Sequence, residues 1–139
     1  MGACPGVTNT TILVIDDDRI ATKLLKLNLE VYGFNVLIAI SGRDGLAKAF
    51  SELPGAIILD VRMPDLNGWH VCERLKNDPK TAALPVIFLT AYSQEADIEK
   101  SQKLGAALFL NKPLDPEELA EKIREVINAG NNHLSGEEQ

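Results

Sequence analysis

The sequence predicts an α/β fold, a (βα)5 doubly wound sandwich in which helices cover both faces of a five-stranded parallel sheet. Two observations lead to this prediction. Strand-like and helix-like segments alternate five times along the 139 residues, and the strand-like runs are apolar throughout, as in strands buried on both faces. Strict alternation of this kind requires right-handed crossovers, so the strands are expected to be parallel neighbours.

Five short apolar runs are the predicted strands. They comprise residues 11–15, 35–40, 56–59, 85–89 and 107–110. The first helix follows the first run and has an apolar face at the spacing i, i+4, i+7, i+11, formed by Ile20, Leu24, Leu27 and Val31. It is expected to stop at Gly33, where a glycine suits the end of a helix.

The remaining helices follow the other runs. Ser41 opens the second, which ends near Pro54. The third follows a loop at residues 61–66, and its Trp69 and Cys72 are expected to serve packing. The fourth spans about residues 94–104, before Gly105.

The fifth helix has the clearest local signal. Asp115 stands at the N-cap, Pro116 at the first helical position and Glu118 at the third, and Gly130 follows the expected end. We therefore expect one domain over residues 10–130, a flexible N-terminus at residues 1–9 and a polar tail at residues 131–139.

Composition and charge limit the classes of function that the sequence can have. A net charge of −6 without a basic stripe argues against nucleic acid as a direct partner. Cys4 and Cys72 are too few for a disulfide framework. No apolar run is long enough to cross a membrane and no signal peptide is visible, so a cytoplasmic protein is expected.

Polar side chains stand at the carboxyl ends of four predicted strands, where ligands bind in open α/β sheets. They are Asp16, Asp17 and Asp18 after the first strand, Asp60 after the third, Thr90 after the fourth and Lys112 after the fifth. Each alone has a structural explanation, and Asp18 is expected to be only an N-cap. Close carboxylates repel by roughly 4 kcal/mol at 4 Å, so the combination indicates a site for a divalent metal and a phosphoryl group.

These residues resemble the receiver (CheY-like) domain of two-component response regulators. Asp60 lies 43 residues after Asp17, Thr90 lies 30 residues after Asp60, and Lys112 lies 22 residues after Thr90. These are the intervals at which that family places its acidic pair, phosphoacceptor, hydroxyl residue and lysine. Met63-Pro64 and Gly68 in the loop after Asp60 are also typical. The resemblance covers residues 10–129 and implies a flavodoxin-like fold with strand order 2-1-3-4-5.

The resemblance implies a role for each residue. Asp60 would accept a phosphoryl group from the phosphohistidine of a kinase. Asp16 and Asp17 would hold Mg2+, helped by Asp60 and by the backbone carbonyl of Arg62. Mg2+ suits such a site because it prefers oxygen ligands and is commonly shared between carboxylates and a phosphate.

The other residues would recognise the phosphoryl group. Thr90 would hydrogen-bond one phosphoryl oxygen, and Lys112 would pair with another as a point charge. Phe109, three residues before the lysine, is the candidate switch residue, with core packing as the alternative. Lys112-Pro113 resembles the family's cis peptide bond, and Tyr92 flanks the site as Arg62 does.

The resemblance also implies partners. A sensor histidine kinase or phosphotransfer protein would supply the phosphoryl group, and a downstream protein or a missing output domain would read the signal. The chain would be a monomer, or a phosphorylation-dependent dimer through the fourth helix, fifth strand and fifth helix. It would catalyse only its own phosphorylation and dephosphorylation, so it is not expected to be an enzyme.

The alternative is a phosphatase of the haloacid-dehalogenase type, which also uses an aspartate nucleophile. Asp16-x-Asp18, Thr90 and the acidic loop at Asp60 and Asp65 are similar to its motifs. In that class, however, the metal-binding acidic loop comes last along the chain, whereas Asp60 precedes Thr90. A third possibility, a flavin-binding domain, lacks a phosphate-binding loop after the first strand.

Overall fold

The computed structural model describes residues 10–91 and 94–136, with residues 130–136 as backbone only. The predicted flexible N-terminus at residues 1–9, Tyr92 and the last three residues lie outside this described part.

The sheet has five parallel strands in the order β2-β1-β3-β4-β5, which confirms the predicted order. The strands are β1 (Thr11–Ile15), β2 (Asn35–Ala39), β3 (Ala56–Leu59), β4 (Val86–Thr90) and β5 (Leu108–Asn111). β2 ends one residue earlier than predicted, and β4 and β5 begin and end one residue later. All five predicted strands are therefore present.

A helix follows each strand. The helices are α1 (Arg19–Val31), α2 (Gly42–Glu52), α3 (Gly68–Lys76), α4 (Glu95–Lys103) and α5 (Pro116–Gly136). The predicted end of α5 at Gly130 is wrong, because the helix continues for six more residues. A glycine costs only about 1 kcal/mol inside a helix, and each added residue gains a hydrogen bond.

Two hydrophobic clusters lie on opposite faces of the sheet. The first packs Leu13 and Ile15 of β1 against α2 and α3. The second packs Ile12 and Val14 of β1 against α1 and α5, with Leu29 at its centre. Alternate residues of one strand thus face different helices, which is the doubly wound arrangement expected from the unbroken apolar runs.

The apolar face predicted for α1 is not the face that packs on the sheet. Ile20, Leu24, Leu27 and Val31 are 81%, 57%, 57% and 79% exposed. The buried residues of α1 are instead Thr22 and Leu29. The Thr22 hydroxyl donates to the Arg19 carbonyl at 3.0 Å, so a polar side chain is buried at no cost in unmade hydrogen bonds.

Helix termini follow the predicted capping residues. The Asp18 carboxylate accepts from the amides of Ile20 and Ala21 at 3.1 and 3.0 Å, as expected of an N-cap. Gly105 ends α4 with φ +86°, a conformation that glycine adopts without strain. Within the described part of the chain, none of the helices combines the length and the apolarity that a membrane crossing requires.

Candidate functional site

The carboxyl ends of the two central strands bring the predicted acids together. The Asp60 amide donates to the Ile15 carbonyl at 3.0 Å, so the chain is still hydrogen-bonded across the sheet where Asp60 leaves β3. Carboxylate oxygens of Asp16, Asp17 and Asp60 lie within 4.8 Å of one another. The three predicted metal-binding acids therefore form one cluster.

Burial is graded across this cluster. The side chains of Asp16 and Asp60 are 8% and 13% exposed, whereas Asp17 is exposed to solvent. Asp16 accepts the Asp18 amide at 3.0 Å, which fixes its carboxylate at the base of the site. A ligand can thus reach the cluster from the Asp17 side.

Lys112 supplies the positive charge. Its Nζ lies 2.7 Å from Asp16 Oδ2 and 3.8 Å from Asp60 Oδ2. The Lys112 amide donates to the Thr90 carbonyl at 2.8 Å, which ties the lysine to the end of β4. Burial lowers the pKa of Lys112, but the hydrogen bond to Asp16 and the surrounding carboxylates outweigh it and raise the pKa.

Asp60 is held in an environment that disfavours its charge. Burial and the neighbouring Asp16 raise the pKa of Asp60, and together they outweigh Lys112, the Arg62 amide and the Thr90 hydroxyl, which lower it. The Arg62 amide contact is 3.4 Å long. One lysine is therefore too little positive charge to balance the cluster.

The cluster fits a divalent cation. All three side chains offer oxygen, the ligand type that Mg2+ prefers. An added cation would also offset the repulsion that raises the pKa of Asp60.

Gly68 holds the loop between β3 and α3 close to Asp60. A Cβ at this position would lie 2.3 Å from the Asp60 carbonyl oxygen and 2.9 Å from the Val61 Cα. The Gly68 amide donates to the Val61 carbonyl at 2.7 Å. The glycine in the motif is thus required by close backbone approach.

Asp65 has a structural role that the sequence did not reveal. Its carboxylate accepts from the amides of Gly42 and Arg43 at 3.0 and 3.1 Å, at the N-terminus of α2, where negative charge is favoured. The Gly42 amide is the largest of the contacts that lower the pKa of Asp65. The partners lie more than twenty residues away, so no local pattern could indicate this contact.

Phe109 belongs to an aromatic cluster beside the site. Its ring is stacked on Trp69, with centroids 6.4 Å apart, and lies 6.0 Å from Phe88. Lys100 Nζ lies over the Trp69 ring, 5.1 Å from its centroid. Trp69 also lines a groove of about 470 Å³ with Asp17 and several residues of the loop after β3. It therefore contacts both the switch candidate and the mouth of the site.

A second groove opens on the α1 side. It holds about 250 Å³ and is lined mainly by apolar side chains, among them Leu24, Pro113 and Leu114, and also by Asp60 and Lys112. The peptide bond before Pro113 is cis, as the resemblance implied. Every predicted site residue except Tyr92 is thus placed in or beside one site.

Comparison with known proteins agrees with this geometry. The family model of the response regulator receiver domain matches residues 12–124. Among curated proteins, the chain is 40% identical over 116 residues to the DNA-binding dual master transcriptional regulator RpaA of Synechocystis sp., covering 84% of the chain and 48% of RpaA. It is 39% identical over 116 residues to Protein PilH of Pseudomonas aeruginosa, covering 84% of the chain and 96% of PilH.

Solved structures show the same fold. A CheY-like response regulator receiver domain protein from Methanospirillum hungatei superposes with a TM-score of 0.85 at 28% identity, covering 91% of the chain and 99% of that structure. Several curated relatives are longer, however, and the chain spans about half the length of RpaA.

Proposed function

The chain belongs to the response regulator receiver domain family, and we propose that it is a phosphorelay switch that accepts a phosphoryl group on Asp60 from a phosphohistidine. One observation carries this proposal. The Asp60 carboxylate lies within reach of a lysine ammonium, 3.8 Å away, and of two further carboxylates suited to a metal. A candidate nucleophile, a cation and two candidate metal ligands therefore share one site, which supports the proposal.

The proposed reaction moves a phosphoryl group between two side chains. A carboxylate oxygen of Asp60 attacks the phosphorus of the donor phosphohistidine and forms a new P–O bond. The P–N bond breaks, and its electron pair returns to the imidazole nitrogen, which then takes up a proton. The product is an acyl phosphate on Asp60, a covalent intermediate of the kind that carboxylate nucleophiles form.

Mg2+ is the proposed cofactor. Asp16, Asp17 and Asp60 would hold it, with the backbone carbonyl of Arg62 as a further ligand. When bound, Mg2+ supplies charge neutralisation, which phosphoryl transfer requires more than covalent chemistry. The carboxylate of Asp16 is kept in place for this role by the Asp18 amide.

Lys112 and Thr90 are the proposed readers of the phosphoryl group. Lys112 would pair with one phosphoryl oxygen and the Thr90 hydroxyl would hydrogen-bond another. Phosphorylation replaces one negative charge by about two, so both side chains gain a contact that exists only in the phosphorylated state. Phe109 would follow the movement of Thr90, a population shift biased by those contacts.

The partners and bounds form part of the same proposal. The domain would occupy residues 10–130, followed by the polar residues 131–139, of which the first six continue α5. The protein would be cytoplasmic, and a sensor histidine kinase or phosphotransfer protein would be the donor. A downstream protein or an output domain would read the surface of α4, β5 and α5, through which the phosphorylated form could also dimerise. The domain would catalyse only its own phosphorylation and dephosphorylation.

Acetyl phosphate with Mg2+ tests this proposal. Intact mass should show one phosphoryl group added to the chain, and the addition should disappear in Asp60→Ala and after removal of the metal with EDTA. Asp44→Ala is the control, because the Asp44 side chain on α2 is 42% exposed and pairs with Lys48, outside the site. Sustained turnover of a phosphomonoester that survives Asp60→Ala but not Asp16→Ala would instead support the phosphatase alternative.

A further inference from the structure

α1 carries an exposed apolar stripe that the fold does not use. Ile20, Leu24, Leu27 and Val31 are each more than half exposed, and they are four of the six large apolar side chains exposed in the described part of the chain. Contiguous exposed apolar surface commonly marks an interaction site. The stripe is therefore a candidate surface for binding a partner.

The spacing of the stripe indicates what kind of partner fits. The four residues are separated by four, three and four positions, which is the alternation of the a and d positions in a heptad. A stripe limited to these positions is the narrow seam of a coiled coil, and its side chains pack between those of a facing helix. The surface is thus shaped for one amphipathic helix.

The charges beside the seam make it complementary to itself. With Leu24 and Val31 at a positions, Lys23 and Glu30 both occupy g positions on one flank of the seam. In an antiparallel pair of α1 helices, Ile20 faces Val31 of the second copy, and g positions meet g positions. Lys23 of each copy then lies beside Glu30 of the other, twice by symmetry.

The chain has these two charges available. Lys23 is exposed, and no ion pair of Lys23 is recorded among the described residues. Glu30 pairs with Lys26 at 2.8 Å, but both side chains are about 40% exposed, and a carboxylate can accept a second donor. We propose that α1 is an isologous, antiparallel self-association surface that joins the chain to a second copy of itself.

The size of the seam sets the strength of this association. α1 has 13 residues, less than two heptads, and such a contact belongs to the small, transient class of interfaces. Leu24 also lines the groove to which Asp60 and Lys112 contribute. A second copy on α1 would therefore restrict access to the site, so dimerisation and phosphorylation would compete.

Sedimentation equilibrium of the unphosphorylated chain over a concentration series tests the surface. We expect a reversible monomer–dimer equilibrium that Leu27→Gln weakens at least about tenfold in Kd, since one substitution removes two apolar side chains from the interface. Ile98→Gln is the matched control, because Ile98 is an exposed apolar residue on α4 that is 40% exposed. It should leave the equilibrium unchanged.

A mixing experiment tests the antiparallel register. Lys23→Glu and Glu30→Lys each place like charges beside one another in a homodimer, so each variant alone should dimerise more weakly than the original chain. An equimolar mixture restores opposite charges on both sides and should recover the association. Circular dichroism checks that both variants remain folded.

Three outcomes overturn the proposal. If the chain stays monomeric at every concentration, α1 is not a self-association surface. If Leu27→Gln then slows phosphoryl transfer from a phosphohistidine donor, the seam binds that donor instead. A dimer that survives Leu27→Gln uses another face. A mixture no tighter than its components excludes the antiparallel register. The sedimentation and mixing results do not depend on whether Asp60 is phosphorylated, so they test the surface independently of the proposed function.

Discussion

Lys112 and Asp16 are joined by an ion pair of 2.7 Å although they are 96 residues apart in sequence. The same ammonium lies 3.8 Å from Asp60. The lysine therefore contacts the acid proposed to hold the metal more closely than the proposed phosphoacceptor. Phosphorylation would shift the main contact of Lys112 from Asp16 to the phosphoryl group. A bound metal ion would then replace Lys112 as the counter-ion of Asp16.

The first prediction is that Lys112→Met destabilises the metal-free protein. Asp16 would be left as a nearly buried carboxylate without its counter-ion, which should cost about 1–3 kcal/mol in the free energy of unfolding. Saturating Mg2+ should reduce the loss, because the ion binds the folded state and supplies positive charge. Urea unfolding with EDTA and with Mg2+ measures both effects.

Lys48→Met is the control for that measurement. Lys48 pairs with Asp44 at 3.2 Å and donates to the Ile38 carbonyl at 2.7 Å, but both charged side chains are about 40% exposed, so the loss should be no more than about 1 kcal/mol. Mg2+ should not change it. Equal losses in the two variants, or no rescue by Mg2+, would contradict the proposed exchange of counter-ions.

The second prediction is that Asp60→Asn stabilises the metal-free protein at neutral pH. Burial and Asp16 raise the pKa of Asp60 in the folded state, so the folded state holds its proton to higher pH than the unfolded state. The stability of the original chain then falls as pH rises through this window above the unfolded value of about 3.9. Removing the charge should raise Tm by about 2–4 °C at pH 7.

The advantage of Asp60→Asn should vanish below the pKa of the unfolded carboxyl group, where Asp60 is protonated in both states. Thermal unfolding in EDTA at pH 7 and near pH 3 compares the two conditions. Asp44→Asn serves as the control, because it breaks a surface pair with Lys48 and should not stabilise the protein. A variant less stable than the original chain at pH 7 would show that Lys112 outweighs burial and Asp16.

Most of the fold could be predicted because its signals are local. The strands are unbroken apolar runs, and Asp18 and Asp115 cap helices in their own first turns. The sequence predicted the apolar face of α1 but not that this face stays exposed, and the reason is physical. Periodicity distinguishes side chains only by their polarity. The Thr22 hydroxyl, however, donates a hydrogen bond to the Arg19 carbonyl and the residue is buried, while apolar side chains on the other face stay exposed.

The sequence could predict only those site residues that lie at the ends of strands. Asp16, Asp60 and Lys112 each follow a strand, so the parallel sheet brings them together without knowledge of any contact. Asp65 was missed because its partner Gly42 lies 23 residues away on another helix. Trp69 was expected to serve packing, and its position between the switch candidate and the mouth of the site appears only in three dimensions.

The third prediction concerns Trp69, the single tryptophan of the chain. Its ring is stacked on Phe109 and lies 4.9 Å from the Phe88 ring. If Phe109 moves when Asp60 is phosphorylated, the surroundings of the indole change, and so should its fluorescence. Adding acetyl phosphate with Mg2+ should therefore change the emission, and Phe109→Ala should reduce that change.

Lys100→Met is the control for this interpretation of the fluorescence change. It removes the cation over the Trp69 ring, 5.1 Å from its centroid, without altering the stack on Phe109. The resting emission should shift while the response to phosphorylation remains. A full response in Phe109→Ala would show that the indole senses the phosphoryl group or metal directly and not through Phe109.

The fourth prediction distinguishes an effect on the geometry of the site from an effect on the stability of the whole domain. In Gly68→Ala the new methyl group would lie 2.3 Å from the Asp60 carbonyl oxygen, so the backbone that carries the proposed phosphoacceptor must move. Overpacking of this kind costs about 1–3 kcal/mol. Because the displaced residue is Asp60 itself, phosphorylation by acetyl phosphate should fall more than the loss of stability explains.

Gly105→Ala is the matched substitution. Gly105 has φ +86°, which is strained for alanine and costs about 1–2 kcal/mol, but the added methyl group meets only the Lys76 side chain at 3.9 Å. Both variants should therefore lose similar stability in urea unfolding, while intact mass should show normal phosphorylation only in Gly105→Ala. Equal phosphorylation of the two variants, measured where both are folded, would mean that the approach of Gly68 to Asp60 serves the fold alone.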